Sequence, residues 1–315
     1  MRFFTTSFPL LTLLLTLLIP ACKEKPPVQP VEKVAPTPAL SFSGEKAFAH
    51  LEKLTSFGPR PSESAGYEKS LAYLESELAT LGWKTVRQSF SAQTPVGPVT
   101  FTNLLARYAP DSAPDWTRST AFVVGSHLDS KRYADIRFLG VNDSGSSTAV
   151  LLEMARVLTS QKHLASQVEL VFFDGEEAML TNITPQDGLY GSKEYARQLL
   201  SRRNRPRAAL VLDLVGDPSV PFLLSPESPR PLLEAARRVI LDQKLGARFA
   251  ISQTRIIDDH LPLSQIAGLD SLLIIGDFNR MPYWHTKNDT LENVAPAPLA
   301  ESGRVALGLL RLLAR

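Results

Sequence analysis

Apolar positions along the chain follow two different periods. Tyr67, Leu71, Leu74, Leu78 and Leu81 recur at spacings of four and three, which places them on one face of a helix that Gly82 ends. Leu151, Met154, Ala155 and Leu158 repeat that spacing in a second helix. Between the helical stretches lie short runs that are apolar at successive positions: Ala121–Gly125, Val168–Phe173, Ala208–Leu214 and Ser271–Ile275. A strand apolar on both faces has no side to turn to water. Such runs, separated by helices, therefore predict a sheet buried on both sides. The predicted class is α/β: a single domain over 41–315, with a central mixed, mostly parallel sheet covered by helices on both faces. No repeat interrupts it. In sheets of this kind ligands bind beyond the carboxyl ends of the strands.

The first forty residues read differently. Met1 and Arg2 precede an apolar run from Phe8 to Ile19, which is shorter than a helix needs to cross a hydrocarbon core of about 30 Å. It has the length of a signal-peptide core. The run closes in Ile19-Pro20-Ala21-Cys22, and a small residue before a Cys at that place resembles the bacterial lipoprotein processing site. The expectation is a signal peptide over 1–21, a lipid on Cys22, and export with attachment to a bacterial membrane. Residues 22–40 hold five prolines among charged residues and valines, the composition of a semi-rigid tether that buries no core.

Charge and cysteine content narrow the chemistry. In 315 residues, 34 Lys and Arg face 32 Asp and Glu, a net charge of +2, without the excess that nucleic-acid binding requires. The one basic cluster, Arg202, Arg203, Arg205 and Arg207, reads as a solvated loop, and the chain is read as a monomer. A single Cys excludes an internal disulfide framework and a thiolate metal cluster. Any metal must therefore be held by His, Asp and Glu. Those residues end the apolar runs: His127 and Asp129, Asp143, Asp174 with Glu176 and Glu177, Asp213, Asp258-Asp259-His260, and Trp284-His285-Thr286. Converging carboxylates repel one another unless a cation sits among them. Imidazole mixed with carboxylate suits Zn²⁺ better than Mg²⁺ or Ca²⁺. There is no H-E-x-x-H helix, G-x-S-x-G elbow, G-x-G-x-x-G turn or Walker loop.

The ordered set H-x-D-S, N-D-S-G, D-G-E-E, L-D, D-D-H and W-H-T resembles the zinc-dependent M28 peptidase superfamily. Three stretches are more narrowly similar to animal-type glutaminyl cyclases: Ser91–Pro95 leading to Phe101–Leu105, Phe172–Ala178 with Asp187–Ser192, and Asp258–Pro262. The resemblance runs from about Leu54 to Arg315. It implies one zinc on Asp143, Glu177 and His285, a proton-transferring Glu176, and Asp213 and Asp258 hydrogen-bonding around the reacting centre, with Trp284 as an apolar wall. It further implies peptides or proteins with an N-terminal Gln as substrates, converted to pyroglutamate with release of ammonia. The chemistry agrees: the α-amine attacks the side-chain amide of its own residue, so a Lewis acid and one proton shuttle suffice.

The chain also departs from the cyclases. Met179–Pro185 lacks the aromatic residue usual after the Glu-Glu pair, and Ile257 stands where a Gln is usual. The Asn142–Gly145 loop is closer to that of the aminopeptidase branch, in which positions matching His127 and Asp213 hold a second zinc with Asp143 bridging. The alternatives are thus a two-zinc aminopeptidase and a noncatalytic lipid-anchored binding protein. An intact Glu176 argues against the latter.

Overall fold

The four apolar runs are the four central strands of one sheet, side by side and parallel. A computed structural model describes residues 1–3 and 42–315. The apolar run, Cys22 and the proline-rich tether lie outside the described residues. In chain order the elements are α1 (Gly44–Ser56), α2 (Ala65–Thr80), β1 (Trp83–Thr94), β2 (Gly97–Tyr108), β3 (Phe122–His127), α3 (Ser147–Thr159), α4 (Lys162–Ala165) and β4 (Val168–Phe173). They continue with α5 (Tyr190–Ser201), β5 (Ala208–Asp213), β6 (Phe222–Leu224), α6 (Arg230–Asp242), β7 (Phe249–Ile251), α7 (His260–Gln265), β8 (Ser271–Gly276) and α8 (Pro296–Leu313).

The strand order is β1-β2-β4-β3-β5-β8-β6-β7. The long β1–β2 hairpin adds antiparallel strands on one side, and β6 runs antiparallel to β8 on the other. Neither edge announces itself as an apolar run. β1 alternates polar residues over partly exposed faces, and β6 and β7 have three residues each.

Alternate residues of the central strands enter two separate cores because side chains point to opposite faces of a strand. Phe122, Val124, Leu170, Phe172, Leu210, Leu212, Leu272 and Ile274 pack under α1, α2, α3, α6 and α8. Val123, Val171, Phe173, Ala209, Val211, Leu273 and Ile275 pack under α5 and α7. The first helix expected from the sequence is α2, capped by the Ser64 hydroxyl, which accepts the Tyr67 N–H at 3.1 Å. It stops before Gly82, whose φ of +79° only glycine adopts freely. The second is α3.

One expectation needs correction. Arg203, Arg205 and Arg207 are exposed, but Arg202 is not a solvated loop residue. Its guanidinium reaches the buried Glu169 at 2.7 Å and lies over the Tyr195 ring. Arg107 and the Tyr195 hydroxyl also engage Glu169, so a charge buried within the sheet keeps Arg202 there.

Candidate metal and catalytic site

The site forms where the central strands end. β3 ends in His127, β5 ends in Asp213, and β4 runs on into Asp174–Glu177. The chain after β8 brings Trp284 and His285, the loop before α3 brings Asp143, and the segment between β7 and α7 brings Asp258. Asp143, Glu176, Glu177, Asp213, Asp258, Trp284 and His285 line a cavity of about 310 Å³ with an apolar wall of Leu214, Ile256, Ile257, Ile275 and Phe278.

Two sets of donors converge on the Asp143 carboxylate. The His127 Nε2 lies 3.2 Å from Asp143 Oδ1 and 3.3 Å from Asp213 Oδ1. The His285 Nε2 lies 3.2 Å from Asp143 Oδ2 and 3.3 Å from Glu177 Oε1. Within each set one atom per residue falls within 4.8 Å of the others. His127 Nε2 and Glu177 Oε1 are buried without a hydrogen-bond partner. Each of these unsatisfied atoms faces the other donors of its own set, an arrangement that fits a cation, and imidazole with carboxylate is a donor set that zinc accepts.

The scaffold around these donors is specific. Asp129 accepts the N–H of Glu176 at 3.2 Å and of Glu177 at 3.3 Å, one on each oxygen. The same loop is pinned from behind, where Gly191 at the start of α5 donates to the Asp174 carbonyl at 2.9 Å. A Cβ on Gly191 would collide with the Asn103 carboxamide and the Asp174 backbone, so only glycine lets α5 approach this closely. Asp289 accepts the N–H groups of Asn142 at 2.8 Å and Asp143 at 3.1 Å. Arg60, fully buried, donates to the carbonyls of Leu128, Leu139 and Gly140 at 3.0, 2.9 and 2.7 Å, which ties the loop after His127 to the loop before Asp143. Lys131 reaches Glu177 Oε2 at 3.4 Å and the Ala178 carbonyl at 3.0 Å.

Trp284 does more than wall the cavity. It stacks on the His285 ring with centroids 4.1 Å apart and donates its indole N–H to Asp143 Oδ2 at 3.0 Å. His285 itself adopts a φ of +56°, a conformation that costs a residue with a side chain roughly 1–3 kcal/mol.

Proton affinities follow from this crowding. Burial pulls the His285 imidazole down, but hydrogen bonding to Asp143 and Glu177 outweighs it and pushes it up to about 10. Burial alone would raise Asp143, yet the imidazoles of His127 and His285 beside it hold it below the usual carboxylate range. Glu176 moves the other way: burial lifts it well above an ordinary glutamate, with Glu177, Asp258 and Asp259 adding to the rise. Burial also raises Asp213 and Asp258.

The structure thus brings Asp143, Glu176, Glu177, Asp213, Asp258, Trp284 and His285 to one cavity and sets His127 against Asp143 and Asp213. Asp259 and His260 are buried and do not line it. Where the sequence lacks the aromatic residue, Thr181, Asn182 and Ile183 form the wall. Arg60, Lys131 and Asp289 went unread in the sequence. The only signal for Asp289 is its place four residues beyond His285.

A family model described as peptidase family M28 matches residues 103–310. The glutaminyl-peptide cyclotransferase-like protein of Bos taurus is 30% identical over 277 residues, covering 78% of this chain and 70% of that protein. The crystal structure of Porphyromonas gingivalis glutaminyl cyclase aligns with a TM-score of 0.77 at 23% identity, over 86% of this chain and 99% of that one. At that identity it speaks to the fold. The glutaminyl cyclase of an Acidobacteriales bacterium aligns with a TM-score of 0.74 at 28% identity, over 92% and 99% of the two chains.

Proposed function

Because the chain belongs to the glutaminyl-peptide cyclotransferase branch of peptidase family M28, we propose that it converts the N-terminal Gln of peptides to pyroglutamate, using one zinc. In the reaction the α-nitrogen bonds to the side-chain amide carbon Cδ, the bond from Cδ to the amide nitrogen Nε2 breaks, and that nitrogen leaves as ammonia. No water is consumed.

Asp143, Glu177 and His285 would hold the zinc, which supplies Lewis acidity toward the amide carbonyl. Glu176 takes a proton from the attacking amine and passes it to the departing nitrogen. Its raised proton affinity suits a group that must both accept and release a proton near neutrality. Asp213 and Asp258, which line the cavity, would orient the amine and amide hydrogens. The apolar wall excludes water and holds the side chain folded back on its own amine, the conformer that ring closure needs.

The observation that carries this reading is the Glu176–Glu177 pair at the end of β4, one carboxylate among the metal donors and its neighbour free in the cavity. A second reading has its own observation, the His127–Asp143–Asp213 set. An aminopeptidase would use that set for a second ion and a hydroxide nucleophile. One experiment separates the two: incubate the protein with a peptide beginning in Gln and weigh the products. Loss of one ammonia from the intact peptide supports cyclisation, whereas release of free Gln would replace it with the aminopeptidase.

We also propose that the chain is exported and held at a bacterial membrane through a lipid on Cys22. The support is the order of apolar run, Ala21-Cys22 and tether in the sequence.

A further inference from the structure

The cavity wall carries a cation that the proposed reaction does not use. Arg255 lies between β7 and α7, three residues before Asp258, and lines the same cavity. Its side chain is 57% exposed, and its ion pair is a loose one, Nε to Glu227 Oε1 at 3.8 Å. That oxygen already accepts the Ile256 N–H at 3.2 Å. The other ammonium or guanidinium group on the wall, Lys131, is 5% exposed and taken up by Glu177 and the Ala178 carbonyl. Among the described residues, Arg255 is therefore the cation of this cavity whose donors remain available.

Its place relative to the chemistry can be measured along the chain. Three residues of extended backbone span at most about 10–11 Å, which bounds the separation of the Arg255 and Asp258 backbones. In a bound peptide, the second and third residues begin about 3.5 and 7 Å beyond the cyclising one. Arg255 lines the cavity, and an arginine side chain is long enough to cover that interval. The intervening residues, Ile256 and Ile257, are apolar and line the cavity, so they offer a peptide contact without competing for the charge.

We propose that Arg255 recognises an acidic side chain at the second or third position of the substrate, so that this protein prefers Gln peptides carrying Asp or Glu there. The inference rests on the cyclase reading of the site. A guanidinium presents a planar fork that matches a carboxylate, and the pair is favoured over a neutral side chain by charge-assisted hydrogen bonds. Because the group is more than half exposed, the preference is modest and salt-sensitive.

The test uses the full-length, metal-loaded protein and peptides with Glu, Gln or Lys at the second position, and a parallel series varied at the third. Wild type should give a kcat/KM ratio of Glu to Lys peptide that falls by about two- to fivefold in Arg255→Ala, the size of an exposed ion pair. The ratio should fall further in Arg255→Glu and shrink toward the variant's value as salt is raised. The negative field of the inner carboxylates acts on all variants alike and cancels in that comparison. Unchanged kcat/KM for the neutral Gln peptide would show that the variants remain folded and competent. Ratios that are the same in wild type, Arg255→Ala and Arg255→Glu at both positions would overturn the assignment while leaving cyclisation intact. If no peptide is cyclised, the underlying reading has failed instead.

Discussion

Glu176 and Glu177 share a loop and an anchor, since Asp129 accepts both of their N–H groups, yet their side chains enter different surroundings. The Glu177 carboxylate stands between His285 and Lys131, while Glu176 faces the cavity among other carboxylates. Replacing Glu176 with Gln keeps its size and removes its basicity. Metal content measured by atomic absorption should stay, and the cyclisation rate should fall by roughly 10²–10⁴, the range for a positioned acid–base group. Glu177→Gln should lose metal and activity together, and a Glu176→Gln protein devoid of metal would reverse the assignment. Two adjacent carboxylates after an apolar run read alone as a solvated face, and the pair was legible only together with the other polar strand ends and the resemblance to the cyclases. Arg60, Lys131 and Asp289 were not, because their contribution lies in what they touch. Asn288-Asp289-Thr290 reads as an ordinary turn until Asp289 is seen accepting the Asn142 and Asp143 N–H groups.

Among the elements, the loop before α3 is the one whose shape the site depends on most, since Asp143 belongs to both donor sets. Asp289 is its external clamp. Asn at that position retains one acceptor oxygen and turns an NH₂ group toward a backbone N–H, so two buried donors face each other. A buried polar group left unsatisfied costs about 1–3 kcal/mol, and loss of a partner that orients a ligand typically weakens metal affinity about 10–100-fold. Asp289→Asn should therefore lower the melting temperature and, in a chelator competition, loosen the metal. An unchanged metal affinity would mean that the loop holds its shape without the clamp. The strands show why some elements could be read from sequence and others could not. β3, β4, β5 and β8 are buried on both faces and appear as unbroken apolar runs. β1 keeps Ser89 and Ser91 exposed beside Thr100 and Thr102 of β2, so its hydrophobic signal is diluted by the solvent-facing side. β1 is held by its hairpin partner β2, and a half-exposed strand of that kind carries a weaker apolar signal than one buried on both faces.

For the molecule as a whole, two proposals concern what is added to the folded chain: a lipid and a metal. Cys22→Ser should abolish acylation and leave uncleaved precursor or release soluble protein, with the catalytic domain still active, because a proline-rich tether of the composition of 22–40 buries no core. A wild-type protein that fractionates without lipid would refute the anchor. The metal couples the site to global stability through protons. In the metal-free protein His285 is held protonated up to about pH 10 by Asp143 and Glu177, and a ligating imidazole must give that proton up. Below that pH each bound ion displaces at least one proton, so affinity should rise by about tenfold per pH unit for each proton displaced. The fold responds in two opposite ways. A histidine whose folded-state value is raised contributes its full stabilisation below the unfolded value near 6.5, and loses it as pH climbs through about 10. This histidine's own contribution thus favours the metal-free fold on the acid side. The metal adds RT ln(1 + [M]/Kd), about 2.7 kcal/mol at a hundredfold excess over Kd, and this gain grows as Kd tightens with pH. The difference in melting temperature between zinc-loaded and chelated protein should accordingly widen from pH 5 to pH 8 at fixed free zinc. Scanning calorimetry across that range would measure it, and a constant or narrowing gap would show that His285 binds no metal in competition with its proton.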